Sequence, residues 1–246
     1  MLLDELTSDA ITASFRLVQR RRGHRFSVDD LATAWEAVRA RPEARSFLDL
    51  GCGVGSVLLM VAWRLDSAPG FGIEAQDISI ELVRRNVREN KLDGRVTLFH
   101  GDLRQVTRDW AYGPIDLVTG TPPYLPLGTA SASPDPQRAA CRIELRGGVE
   151  DYLAAAARVL SADGVVVVCS DGRAPERVIR GARGAGLVPV RRVDIVPRTG
   201  RGVLFSVWTC AREARGALEH EVVTMRDESG ARTEASVGMR RAFGLN

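Results

Sequence analysis

The chain has 246 residues, 45% hydrophobic and 26% charged, which suits one α/β domain with a large buried core and modest additions. No apolar run reaches the roughly 18–20 residues that span a bilayer, and residues 1–5 carry acids where a secretion signal needs basic residues; a cytoplasmic protein with no membrane partner is expected. Four scattered cysteines without C-x-x-C spacing give no disulfide framework or metal centre, and a net charge of +3 does not by itself assign a nucleic-acid partner.

In chain order, residues 14–19 and 24–28 read as a strand pair, followed by a helix from Asp29 or Asp30 to about residue 40, with Ser27 and Asp30 spaced as a capping box. Residues 45–50 form a buried strand that runs into glycines and a helix over 56–64. Strands at 71–74, 95–100, 115–119 and 165–169 alternate with helices at 78–89 and 151–160. A helix over 176–185 stops at Gly186, and strands at 187–196 and 203–210 follow with no helix between them. This order predicts a Rossmann-like sheet of seven strands, mainly parallel with the last antiparallel, and helices on both faces. Three regions are expected: residues 1–40 packed on the core, a core of 41–210, and a hairpin or ordered tail at 211–246. Residues 129–136 are the most loop-like stretch.

The strongest local signal is "FLDLGCGVG", in which a strand ends at Asp49 and Gly51, Gly53 and Gly55 open a helix. Glycines let the backbone approach a ligand closely, and a helix N-terminus offers free N–H groups. The spacing is G-x-G-x-G, because Ser56 stands where a dinucleotide fold has its third glycine. S-adenosylmethionine has no pyrophosphate to cradle and fits this loop, with Asp49 accepting from its amino-acid end directly or through water. Glu74, ending the next strand, suits the two ribose hydroxyls, since a carboxylate supplies acceptors only. Asp102 in "HGDL" is placed to accept from an adenine amino group.

With these motifs in order, the chain resembles the class I S-adenosylmethionine-dependent methyltransferases, and among them the bacterial tRNA1(Val) adenine-37 N6-methyltransferase family. "VQRRRGHRFSVDDLATAW" is similar to that family's N-terminal pattern at Gln19, Gly23, Arg25, Phe26, Ser27 and Asp29, with His24 in place of an aromatic residue. "GIEAQ" and "HGDL" fit the cofactor motifs, which implies pocket roles for Asp29, Ala75 and Leu103 as well. Arg142 and Glu144 match an Arg-x-Glu pattern, and "EVVTMRDESGARTEA" resembles the family's closing segment.

The resemblance assigns catalysis to Thr121, Pro122, Pro123 and Tyr124, where the family has Asn-Pro-Pro-Tyr. There the Asn side chain and a proline carbonyl accept from the substrate NH2 while the tyrosine stacks on its ring. Catalysis is then mainly positioning and local polarity. Thr121 can accept through its hydroxyl but lacks the planar amide, a difference of roughly 1–3 kcal/mol. The implied acceptor is an adenine of tRNA, held by a basic patch at Arg20, Arg21, Arg22 and Arg25. A protein glutamine or small-molecule acceptor, or a cofactor-binding protein of little activity, stays open. The assembly expected is a monomer or weak dimer.

Overall fold

The computed structural model describes residues 5–111, 113–129, 133–214 and 216–246; part of the loop expected at 129–136, and the first four residues, lie outside these. An antiparallel pair, β1 (Leu6–Ala10) and β2 (Arg16–Arg20), opens the chain and leads to α1 (Val28–Ala40). The core then alternates β3 (Phe47–Leu50), α2 (Ser56–Arg64), β4 (Gly70–Glu74), α3 (Asp77–Glu89), β5 (Val96–His100) and β6 (Ile115–Gly120). After α4 (Pro136–Arg142) come α5 (Val149–Val159), β7 (Leu160–Asp171), α6 (Pro175–Gly184), β8 (Val188–Val196) and β9 (Phe205–Ala211). The chain closes with β10 (Glu219–Thr224) and α7 (Glu234–Arg241).

One sheet carries the core, in the order β10-β8-β9-β7-β6-β3-β4-β5. Only β9 runs antiparallel to its neighbours β7 and β8, because the connection from β8 holds no helix to carry the chain back to the same edge. Alternate residues feed two apolar layers. Phe47, Val167 and Val207 face the side covered by α1, α2 and α3, whereas Leu48, Val166 and Trp208 face α5 and α6. Burial on both faces explains why β3, β4 and β6 are buried at every position.

Two expectations are corrected. The strand partner of β2 is β1, not residues 24–28, which enter α1 as irregular chain. That segment is tied by side chains in place of a ladder: Phe26 N donates to Gln19 Oε1 at 2.8 Å, and Gln19 Nε2 donates to Asp9 at 2.8 Å. The true partner, LTSDA, is too polar to read as a strand. The sheet also has eight strands and not seven, since β10, in the segment expected as a hairpin or ordered tail, pairs parallel with β8. Its charges are matched by the neighbouring strand: Arg191 reaches Glu219 at 2.5 Å and also Glu221, and His220 lies 2.8 Å from Asp194.

The N-terminal pair is fixed to the core by two asparagines one helical turn apart, Asn86 on α3 and Asn90 at its C-terminal cap. Asn86 accepts from Val18 N (2.7 Å) and donates to Val18 O (2.9 Å), while Asn90 does the same with Arg16 at 2.9 and 2.8 Å. Each amide imitates the edge of a strand. Asn86 also donates to Val54 O of the glycine loop at 2.8 Å, which couples this N-terminal cover to the site beneath it. At the start of α1, Asp30 accepts from Ser27 N at 3.0 Å, as the capping-box spacing anticipates.

Candidate active site

The C-terminal ends of β3, β4, β5 and β6 open into a cleft of about 910 Å³, roofed by residues 23–30 and flanked by residues 138–147. The turn after β3 carries Gly51 and Gly53 at φ +59° and +57°, a left-handed conformation that a side chain would strain. A Cβ on Gly53 would meet nothing, so the backbone there faces open cleft. A Cβ on Gly51 would lie 2.3 Å from Tyr152 Oη. Gly51→Ala is therefore expected to destabilise the fold by at least about 2 kcal/mol, combining backbone strain with overpacking. Thermal denaturation checks this, and adding Tyr152→Phe should recover part of the loss.

Glu74 is 5% exposed, and its two carboxylate oxygens accept from Gly53 N (2.8 Å) and Gln76 N (2.7 Å). It thereby holds the glycine turn against the end of β4 while forming part of the cleft wall, as do Ala75, Asp102 and Leu103. Asp102 caps the short turn after β5 and takes a bidentate contact from Arg104, at 3.0 and 2.6 Å. That guanidinium holds its carboxyl below the usual carboxylate range.

The loop after β6 presents Thr121, Pro122, Pro123 and Tyr124 to the same cleft. Tyr124 is pinned at its tip, with its hydroxyl 3.3 Å from Asp29 Oδ2 and 3.0 Å from Cys169 Sγ. The acceptor loop is thus braced against both α1 and β7. The Thr121 hydroxyl has no hydrogen-bond partner among the described residues and is only half-buried, so it is free to meet a ligand. Beyond it, Leu125 pairs with the chain after α4: its N–H donates to Arg142 O at 3.1 Å and its carbonyl accepts from Glu144 N at 3.0 Å.

The cleft is electrostatically divided. Asp29, Asp30 and Glu74 line its floor and roof, and none forms a salt bridge among the described residues. Burial pushes Asp30 well above the usual carboxylate range, reinforced by the Asp29 charge, and burial also raises Glu74. The exposed side chains of Arg138, Arg142, Arg146 and Arg173 stand at the mouth. Carboxyl groups without a salt-bridge partner around an open glycine turn fit a cationic ligand such as a sulfonium with its ammonium group, whose charge would favour their ionised forms.

A family model described as the methyltransferase small domain matches residues 27–130. A release factor glutamine methyltransferase of Caulobacter vibrioides is 33% identical over 183 residues, 69% of this chain and 61% of that protein. The chain thus spans about three fifths of that relative's length. A tRNA1(Val) (adenine(37)-N6)-methyltransferase of Actinobacillus pleuropneumoniae is 26% identical over 205 residues, 82% of this chain and 83% of that protein. Among solved structures, a protein from Agrobacterium tumefaciens described as a predicted O-methyltransferase has the same fold. It matches with a TM-score of 0.66 at 21% identity, over 89% of this chain and 98% of that one. Residues 27–130 thus match a methyltransferase domain, and the chain is similar to methyltransferases over most of its length.

The residues singled out by sequence divide into three groups. Asp29, Gly51, Gly53, Glu74, Ala75, Asp102, Leu103 and residues 121–124 come together around the cleft. Asp49 and Gly55 are not part of its wall. Asp49 is 2% exposed and accepts from Thr119 Oγ1 (2.8 Å) and Leu58 N (3.2 Å), so it supports the turn from behind; burial pushes its pKa up to about 7. Of the four arginines expected to form a basic patch, Arg20 is paired with Asp135 at 2.8 Å and Arg25 with Asp9 at 3.0 Å. Arg21 pairs with Glu5 at 2.5 Å, and only Arg22 has no salt bridge or side-chain hydrogen bond among the described residues. The arginines were legible, but the acids that occupy them lie far off in the sequence.

Several cleft residues escaped the sequence, among them Asp30, Tyr152 and Arg146. Asp30 was visible only as a capping residue. Tyr152 sits on an Ala-rich helix with no motif of its own, and only close packing against Gly51 and Gly120 brings it to the site.

Proposed function

We propose that this chain transfers a methyl group from S-adenosylmethionine to the exocyclic amino nitrogen of an adenine in tRNA. The cofactor supplies an electrophilic sulfonium methyl when bound. Glu74 and Asp102 would take its ribose and adenine, the open backbone at Gly53 its amino-acid end, and Asp29 and Asp30 its positive charge. The Thr121 hydroxyl and the Pro122 carbonyl accept from the substrate amine, which orients the nitrogen lone pair, and the rings of Pro123 and Tyr124 bound the base. No strong base is needed, because positioning carries most of the rate.

The observation that carries this reading is the shared cleft of residues 23–30 and 121–124. The N-terminal cover and the acceptor loop form one site, and two relatives matched over more than four fifths of both chains are tRNA1(Val) adenine methyltransferases. The test is transfer of labelled methyl from S-adenosylmethionine to unmodified tRNA, compared with release factor and ribosomal protein acceptors. Label found only in protein would replace this assignment with glutamine methylation, which the relative from Caulobacter vibrioides favours.

Thr121 gives a sharper measurement. Thr121→Ala is expected to lower kcat on tRNA by about ten- to a hundredfold, the loss of one hydrogen bond of roughly 1–3 kcal/mol. KM for S-adenosylmethionine should stay within about threefold, since an acceptor contact acts on the other substrate. Thr121→Asn should retain or exceed wild-type turnover. An alanine variant with full activity would remove Thr121 from the mechanism.

A further inference from the structure

We propose that Arg142 and Arg146 grip backbone phosphates of the RNA strand whose target nucleotide enters the cleft beside Thr121. The inference rests on the RNA acceptor proposed above and moves the contact surface away from the arginines at 20–25.

Main-chain pairing sets the position. Leu125, four residues past Thr121, is bonded on both sides to the chain at Arg142 and Glu144. The segment from Arg142 to Arg146 is therefore held in register alongside the acceptor loop. Both arginines are exposed and line the mouth of the cleft, and neither forms a salt bridge or hydrogen bond with a described residue.

Their neighbours at the mouth are committed elsewhere. Arg25 is paired with Asp9, Arg173 is paired with Asp171 at 2.6 Å, and Arg138 donates to the carbonyl of Arg22 at 2.8 Å. The acid between the two free arginines is also occupied, because Arg177 binds Glu144 through two contacts at 2.5 and 3.1 Å. The Arg146 charge is felt by Glu74 and Asp102, but no carboxylate is hydrogen-bonded to either guanidinium among the described residues, which leaves two forks suited to phosphate oxygens. Leu145, between the two arginines in the chain, is 49% exposed and adds apolar surface on which an unstacked base can lie. Carboxylates below and free arginines above would draw a polyanion to the rim and keep its phosphates out of the cofactor floor.

The experiment measures fluorescence anisotropy of labelled, unmodified tRNA with the full chain saturated by S-adenosylhomocysteine, over a range of salt. The double variant Arg142→Glu/Arg146→Glu is expected to weaken RNA binding by at least about thirtyfold. For the double variant Arg142→Ala/Arg146→Ala, the slope of log Kd against log salt should fall by about 1.5, at 0.7–0.9 for each lost phosphate contact. The lysine pair, Arg142→Lys/Arg146→Lys, should bind within about fivefold of wild type, and an unchanged melting temperature would show that folding is intact. RNA affinity and salt slope within twofold of wild type in the glutamate and alanine variants would overturn the proposal, as would a wild-type chain that binds no RNA. If RNA binds through these arginines but receives no methyl group, the adenine assignment falls and this contact surface stands. If methyl goes to protein and the glutamate pair lowers only protein methylation, the surface serves a protein and the proposal fails.

Discussion

Glu74→Ala is expected to raise the dissociation constant for S-adenosylmethionine by at least about a hundredfold, measured by calorimetric titration. The side chain accepts from Gly53 N and Gln76 N, at 2.8 and 2.7 Å, and is 5% exposed. Truncation leaves two backbone donors without that partner, at roughly 1–3 kcal/mol each where water does not replace it. It also removes the anion suited to the ribose hydroxyls, and about 1.4 kcal/mol corresponds to a tenfold change in affinity. Part of the penalty appears in the free protein, so the melting temperature should fall as well. Glu74→Gln should be intermediate, because its oxygen can serve one N–H while its amide nitrogen opposes the other. An alanine variant that binds the cofactor as tightly as wild type would show that the turn after β3 is held some other way.

The second large effect is a pH dependence of stability centred on Asp49. Burial places its folded pKa at about 7, against about 3.9 in an unfolded chain. Between these values the folded state retains a proton that the unfolded state has lost. The contribution is therefore fully present below about pH 4 and is lost as pH rises through 7, by about 4 kcal/mol in total. Asp49→Asn cannot titrate, and its amide oxygen can still accept from Thr119 or Leu58. Measured as a difference in unfolding free energy, the variant should gain on wild type steadily from pH 4 to 8. Asp9, Asp135 and Asp194 are held below the usual range and lose stability on acidification, with the opposite sign. They are common to both proteins and cancel in the difference. The Asp49 charge also raises Asp30, so its removal should ease ionisation there and enlarge the gain. A difference independent of pH would mean that Asp49 ionises normally behind the glycine turn.

How much was legible depended on the range of the interaction. The run from Phe47 to Gly55, the carboxylate ending β4 and the Pro-Pro-Tyr loop are local patterns, each written in a few consecutive residues. Their convergence follows from strands that alternate with helices, because a parallel sheet brings successive strand ends to one edge. The partner of β2 was misassigned because LTSDA carries no apolar alternation, and β2 itself is anchored by Asn86 and Asn90 far along the chain. The place of β10 in the main sheet was hidden for a similar reason. A charged segment reads as solvated until an arginine-bearing strand lies beside it.

By itself the sequence determined the doubly covered sheet, the glycine turn, the acidic residue at the end of β4 and the composition of the acceptor loop. All of these arise from periodicity or from residue types with special backbone or hydrogen-bonding chemistry. Only the tertiary structure decided which like groups are free. Asp49 turns inward to Thr119 and Leu58 while Glu74 faces the cleft, and Arg20 and Arg25 are spent on Asp135 and Asp9 while Arg142 and Arg146 are not. A charge is available to a ligand only when no nearer partner has taken it. Those partners lie on other elements, and folding alone sets the distances.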